Sequence, residues 1–258
     1  METVRIRNLE IGRGRPKLCL PITGKTDEDI LRGAESCRAH GAEIVEWRAD
    51  YFDGALDKEA VSETLASLRG ALGGLPLLVT FRSAAEGGAR DIPPPLYRTL
   101  VELAARSPLC DLVDVEFSAG AGTVAEVIRA IRARGGACII SSHDMKKTPP
   151  KEALVSRLLA MRATGADILK IAVMAREKAD ALTLLAASLE MSERHAKGPI
   201  IALSMGAAGR VSRVLGEVFG SSVTFAMAEE ASAPGQMAAR DVAPALDMIH
   251  RLLRDDAP

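Results

Sequence analysis

GADILKIAV, residues 165–173, is a short apolar run entered through a glycine and an acid and interrupted once, by Lys170. GAEIVEWR at 41–48 and CDLVDVEF at 110–117 have the same build, and each carries a charged residue near its end. Runs this short and this apolar suit parallel strands covered on both faces. Such runs fall at residues 17–22, 43–49, 76–82, 111–117, 137–142, 167–173, 199–205 and 223–228, eight in all. Between them the apolar spacing changes to threes and fours. Val124, Val127, Ile128 and Ile131 line one helical face within 122–134, which ends at Gly135-Gly136. The segment 26–40 opens on Thr26, Asp27 and Glu28, capping and acidic types, and stops at Gly41. Pro149-Pro150 opens a helix over 151–164 that Gly165 ends. Further helices are expected over 57–69, 95–106, 177–194, 208–219 and 236–254. The repeat of about 30 residues is the size of one βα unit. Eight such units without a long linker predict an α/β fold: a closed (β/α)8 TIM barrel, one catalytic domain over residues 1–258, near the usual length for that fold. Residues 4–8 and 9–11 precede the first strand and are expected to form a short β-hairpin closing the bottom of the barrel.

Composition narrows the function. The chain has 258 residues, 48% hydrophobic but only 3% aromatic, so its core is expected to be aliphatic. It carries 33 basic and 34 acidic residues, a net charge of -1, which argues against a general polyanion binder; no nucleic-acid partner is expected. A local basic pocket for a small anion remains compatible with that balance. None of the four cysteines, Cys19, Cys37, Cys110 and Cys138, forms a CxxC pair, and Cys19 and Cys138 sit in strand-like runs as small hydrophobes. That usage fits a reducing compartment. The start, METVRIRNLEIGRGRPK, is charged and has no apolar core of a signal peptide. No run reaches the roughly 18 apolar residues needed to span a bilayer. A cytoplasmic protein without a membrane partner is the expectation.

Polar residues at the ends of buried strands need a reason, and barrel active sites lie at the C-terminal ends of the strands. The interruptions are Glu46 and Arg48, Arg82, Glu116, the run Ser141-Ser142-His143-Asp144, Lys170, Ser204, and Glu229-Glu230. Lys170 is flanked by Leu169 and Ile171. An apolar site strips hydration from an ammonium and favours the neutral amine, the form that attacks a carbonyl. A purely structural lysine, paired with Glu46 or Glu116 across the barrel, is the competing reading. His143 ends the neighbouring strand and is the natural proton carrier. The other histidines, His40, His195 and His250, fall on expected helices, so a metal site here would need mostly carboxylates; no metal is expected. Arg48, Arg82 and Arg213 point to an anionic or polyhydroxylated ligand, since guanidinium grips carboxylate in a bidentate fork. The glycine-bearing loop 204–209 before Arg210 and Arg213 is equally suited to phosphate, and Arg210 by itself reads as a surface residue. Ser232 and Gln236 lie in a loop after the last strand and offer neutral hydrogen bonds. A sugar-phosphate aldolase of the lysine-dependent class and a metabolite-sensing barrel both remain open on these residues.

EWRADYF (46–52), TFRSAAEGG (80–88), SSHDM (141–145), DILKIAVM (167–174), ALSMGAAGRVSR (202–213) and SVTFAMAEEASAPGQ (222–236), in that order, resemble the type I 3-dehydroquinate dehydratases over nearly the whole chain. The resemblance implies a Schiff-base lyase of the shikimate pathway that dehydrates 3-dehydroquinate to 3-dehydroshikimate without a cofactor. It implies Lys170 as the Schiff-base lysine, His143 as general acid/base, and Glu86 as the carboxylate that orients and charges the histidine. Arg213, with Ser232 and Gln236, is implied for the substrate carboxylate, and Glu46, Arg48 and Arg82 for the ring hydroxyls. Met205, Phe225 and Ala233 are implied as pocket walls. Residues 231–236 are expected to act as a lid, because Gly235 and its small neighbours permit backbone change and the loop carries Ser232 and Gln236. Pro21 departs from the pattern, since some members carry serine there. A homodimer is also implied.

Overall fold

The computed structural model describes residues 2–195 and 197–255. A hairpin of β1 (Val4–Ile6) and β2 (Leu9–Ile11) comes first. Strands and helices then alternate: β3 (Lys17–Ile22), α1 (Asp27–Ala39), β4 (Ile44–Arg48), α2 (Lys58–Leu72), β5 (Leu77–Thr80), α3 (Pro94–Arg106), β6 (Leu112–Glu116), α4 (Ala121–Arg132), β7 (Ala137–Asp144) and α5 (Lys151–Ala163). The series ends with β8 (Ile168–Met174), α6 (Lys178–Arg194), β9 (Ile200–Met205), α7 (Val211–Val214), β10 (Val223–Phe225) and α8 (Ala239–Asp255). The strands β3 to β9 pair in parallel in sequence order, and β10 pairs with β3. Between β9 and β10 the barrel closes by one backbone bond, Ser222 N–H to the Ile200 carbonyl at 2.7 Å, and by the Ser221 hydroxyl accepting from Ala202 N–H at 3.0 Å.

Strand alternation sorts the core into two layers. Leu20, Val45, Trp47, Val113, Leu169 and Ile171 face outward to the helices. Cys19, Ile44, Leu78, Leu112, Ile168 and Ile201 face inward and fill the lower barrel. Ile6 and Ile11 of the hairpin join that inner layer, so the hairpin plugs the barrel's N-terminal end. The acids that open the three repeated runs have a common task. Glu43, Asp111 and Asp167 each accept an N–H from the start of the preceding strand, from Leu18, Leu77 and Cys138, and each pairs with an arginine, Arg15, Arg69 and Arg132. The lower rim is thereby stitched strand to strand, and the upper ends are left for function.

Several elements are shorter than their sequence pattern, and two of them lie beside the site. The expected helix 208–219 contracts to α7, and the chain turns at Gly216, whose carbonyl accepts from Phe219 N–H at 3.2 Å and Ser221 N–H at 2.8 Å. The last strand stops at Phe225, because Met227 N–H turns to the Met237 carbonyl at the foot of the following loop. Among the described residues no helix is long and apolar enough to cross a membrane.

Candidate active site

The inward positions at the C-terminal ends of β4 to β7 are polar, whereas those of β9 and β10 are apolar, with Leu203, Met205 and Phe225. Glu46 and Arg48, Thr80 and Arg82, Asp114 and Glu116, Ser141, and Lys170 point into the barrel and are buried. One cavity there is lined by all nine residues singled out from the sequence: Lys170, His143, Glu86, Glu46, Arg48, Arg82, Arg213, Ser232 and Gln236. Met205, Phe225 and Ala233 complete its walls. Pro21 instead lines a neighbouring cleft with Lys25 and Glu229, and Arg210 is exposed.

The surroundings of Lys170 differ from the apolar site read from its neighbours in sequence. Leu169 and Ile171 belong to the outer layer, because alternate residues of a strand face opposite sides. The Nζ atom lies 3.1 Å from Asp114 Oδ2, 3.5 Å from Glu46 Oε1 and 4.3 Å from the Phe225 ring centre. Asp114 is the group that sequence reading passed over. It stands two residues before Glu116 in CDLVDVEF, on the same face, so strand alternation alone marks it. Its carboxylate also accepts from Arg82 at 2.8 Å and from the Ser141 hydroxyl at 2.5 Å. Burial works against its charge, but Arg82 and Lys170 hold it well below the usual carboxylate range. Glu116 does not meet the lysine; it accepts from Arg82 and from Ser83 N–H.

His143 sits opposite Ala172 in the β7–β8 register, one inward position above Lys170, which is opposite Ser141. Its Nδ1 is 2.8 Å from Glu86 Oε2, and its backbone N–H donates to the same oxygen at 3.1 Å. The Ser118 hydroxyl donates to the other oxygen at 2.8 Å. Burial, with Arg82 and Lys170 nearby, holds the imidazole neutral well below its ordinary titration range. Glu86 is pushed up to about 7 by burial, against the pull of Arg82. With Nδ1–H committed to Glu86, Nε2 is the nitrogen free to take a proton.

The arginines divide into two kinds. Arg82 is spent on protein groups: Asp114, Glu116 and Ser141 take its donors, with Glu86 3.7 Å away. Arg48 forks onto Asp50 at 2.8 and 2.7 Å, and its remaining nitrogen lies 3.4 Å from the Ser232 carbonyl. Arg213 has no carboxylate partner among the described residues. It is 1% exposed, donates only to the carbonyls of Phe225 and Pro234, and leaves Nε without a partner. Burial lowers its pKa to about 10. A buried guanidinium left with spare donors is a receptor for an anion. Ser232 and Gln236 face the same cavity and hold each other: Ser232 N–H donates to Gln236 Oε1 at 2.7 Å, and Gln236 Nε2 donates to the serine hydroxyl at 3.1 Å. Gly235 lets this loop approach the barrel, since its φ is +79° and a Cβ there would meet the Gly206 carbonyl oxygen at 2.5 Å.

The family model for type I 3-dehydroquinase matches residues 18–253. The chain is 42% identical over 248 residues to a 3-dehydroquinate dehydratase of Clostridioides difficile, covering 96% of this chain and 97% of that protein. It is 43% identical over 246 residues to one from Klebsiella pneumoniae, covering 95% and 98%. A crystal structure of the Clostridium difficile type I 3-dehydroquinate dehydratase, with covalently modified comenic acid, superposes with a TM-score of 0.93 at 41% identity, over 97% of this chain and 98% of that one.

Proposed function

The chain belongs to the type I 3-dehydroquinase family and is a lyase, and on that premise we propose that it dehydrates 3-dehydroquinate to 3-dehydroshikimate through an imine on Lys170. The observation that carries the proposal is the cavity itself. An amine on β8 and a neutral imidazole on β7 face one space, whose wall includes a buried guanidinium with no carboxylate partner among the described residues.

The chemistry follows from these parts. The Lys170 ammonium passes a proton to His143 and the amine adds to the ketone carbon; His143 returns the proton to the carbinolamine hydroxyl, which leaves as water, and an iminium remains. Asp114, beside that nitrogen, stabilises the positive charge. The iminium is a stronger electron sink than the ketone, so the adjacent proton becomes removable. His143 takes it at Nε2, and Glu86 steadies the imidazolium through Nδ1. The electron pair of the enamine returns to expel the β-hydroxyl, and His143 gives its proton to that oxygen, which leaves as water. A second water hydrolyses the iminium and frees Lys170. Arg213, with Ser232 and Gln236, holds the substrate carboxylate; Glu46 and Arg48 hold ring hydroxyls, and Arg82 contributes mainly by fixing Asp114 and Glu116. With this reading come a place in the shikimate pathway, a homodimer and a cytoplasmic location.

The direct test is an assay with 3-dehydroquinate that follows the absorbance of the conjugated product; no product sends the cavity to a sugar-phosphate aldolase instead. Arg213→Ala tests the carboxylate assignment. Losing a charge-assisted fork costs about 3 kcal/mol, so KM is expected to rise roughly a hundredfold with little change in kcat. An unchanged KM contradicts the carboxylate assignment. The pH profile gives a further check. Glu86 works as the carboxylate, and its folded pKa is raised to about 7. The active form therefore dominates above that pH and is lost as pH falls through it. The acid limb of kcat/KM is expected near pH 7, and Glu86→Gln is expected to remove it; a limb that stays in place in that variant contradicts the assignment.

A further inference from the structure

Asp50 occupies a single turn just after β4 and is fully buried. A buried carboxylate needs several donors, and this one has four. Arg48 supplies two, Nε at 2.8 Å and a terminal nitrogen at 2.7 Å. The other two are backbone groups at the two ends of one loop: Arg82 N–H at 3.2 Å and Ala89 N–H at 3.0 Å. Glu86 lies within that loop. The loop folds back tightly, with Gly88 N–H on the Ser83 carbonyl at 2.8 Å, and a Cβ on Gly88 would meet the Arg82 carbonyl oxygen at 1.8 Å. Arg90 adds a strap from the far side, donating to the Asp50 carbonyl at 2.7 Å.

We propose that Asp50 is a positioning residue that sets the Glu86 loop and Arg48 in register with each other. It closes both ends of the loop that presents Glu86 to His143, and it fixes one edge of Arg48 so that the free edge is offered to the cavity and the Ser232 loop. The proposal rests on the reading above of Glu86 and Arg48. It explains why a carboxylate that does not line the cavity is buried beside one.

The test is a set of cycles in the full chain, with thermal melting as the fold control. Asp50→Asn keeps the shape and removes the charge. A misplaced loop costs up to about a hundredfold, so kcat is expected to fall about 10- to 100-fold and KM to rise about tenfold. In the Arg48→Ala background Asp50→Asn is expected to add no further rise in KM, and in the Glu86→Gln background no further loss of kcat. Effects that simply add in both backgrounds, or wild-type constants in a folded Asp50→Asn, overturn the proposal. If that variant does not fold, Ala89→Pro decides, because it removes one loop donor and leaves the Arg48 fork intact. It is expected to lower kcat with KM unchanged; an unchanged kcat overturns the proposal. Wild-type constants in Arg48→Ala and Glu86→Gln themselves bring down the underlying reading, and this inference with it. Active-site defects in those two beside a silent Asp50→Asn bring down the inference alone.

Discussion

Lys170→Ala is expected to lower kcat about a hundred-thousand-fold or more while the barrel stays folded, because the variant loses the electron sink and nothing nearby replaces it. Each carboxylate beside the lysine keeps another partner. Asp114 retains Arg82 and Ser141, and Glu46 retains the Thr80 hydroxyl at 2.8 Å. The loss is therefore chemical and not a collapse of the barrel interior, and a melting curve with an intact cooperative transition checks that. Residual turnover within tenfold of the parent contradicts an imine on this lysine. Such a result would leave Lys170 as a counter-ion for two acids, the structural role that its sequence position also allowed.

His143→Ala is expected to act at a different step. General acid–base groups contribute about a hundred- to ten-thousand-fold, and this one serves both proton removal and departure of the hydroxyl, so a kcat loss near the upper figure is expected. Imine formation needs the Lys170 amine more than it needs the imidazole. The variant is therefore expected to accumulate a covalent adduct that turns over very slowly, visible as added mass after reduction. Full activity removes His143 from the mechanism. A silent variant that forms no adduct moves its role to the first step, the attack of the amine.

The barrel was legible because its signals are local. Short apolar runs, helical spacing and glycine stops each depend on a few neighbouring residues, and the hairpin at 4–11 could be placed before the first strand. The six motifs mark the ends of different strands, and barrel closure brings strand ends together whatever their separation in sequence. That is why Glu86 and His143, 57 residues apart, end up 2.8 Å apart. What escaped notice depends on direction and on partners. Leu169 and Ile171 adjoin Lys170 along the chain but face away from it, whereas Asp114 reaches its amine from β6. Asp50 gave no signal, because a single-turn residue after a strand reads as a loop until its four donors are seen. Arg82 and Arg213 look alike in sequence; only the structure shows that the first is saturated with acids and the second is left without one among the described residues.

The central claim is that Lys170 carries the substrate during turnover, and reductive trapping tests it most directly. The protein is incubated with 3-dehydroquinate and borohydride, and its peptides are then mapped by mass. The account predicts one added substrate-derived mass, on the peptide containing Lys170, with activity lost in proportion and neither change seen without substrate. Full activity after that treatment, with no mass added at Lys170, contradicts it.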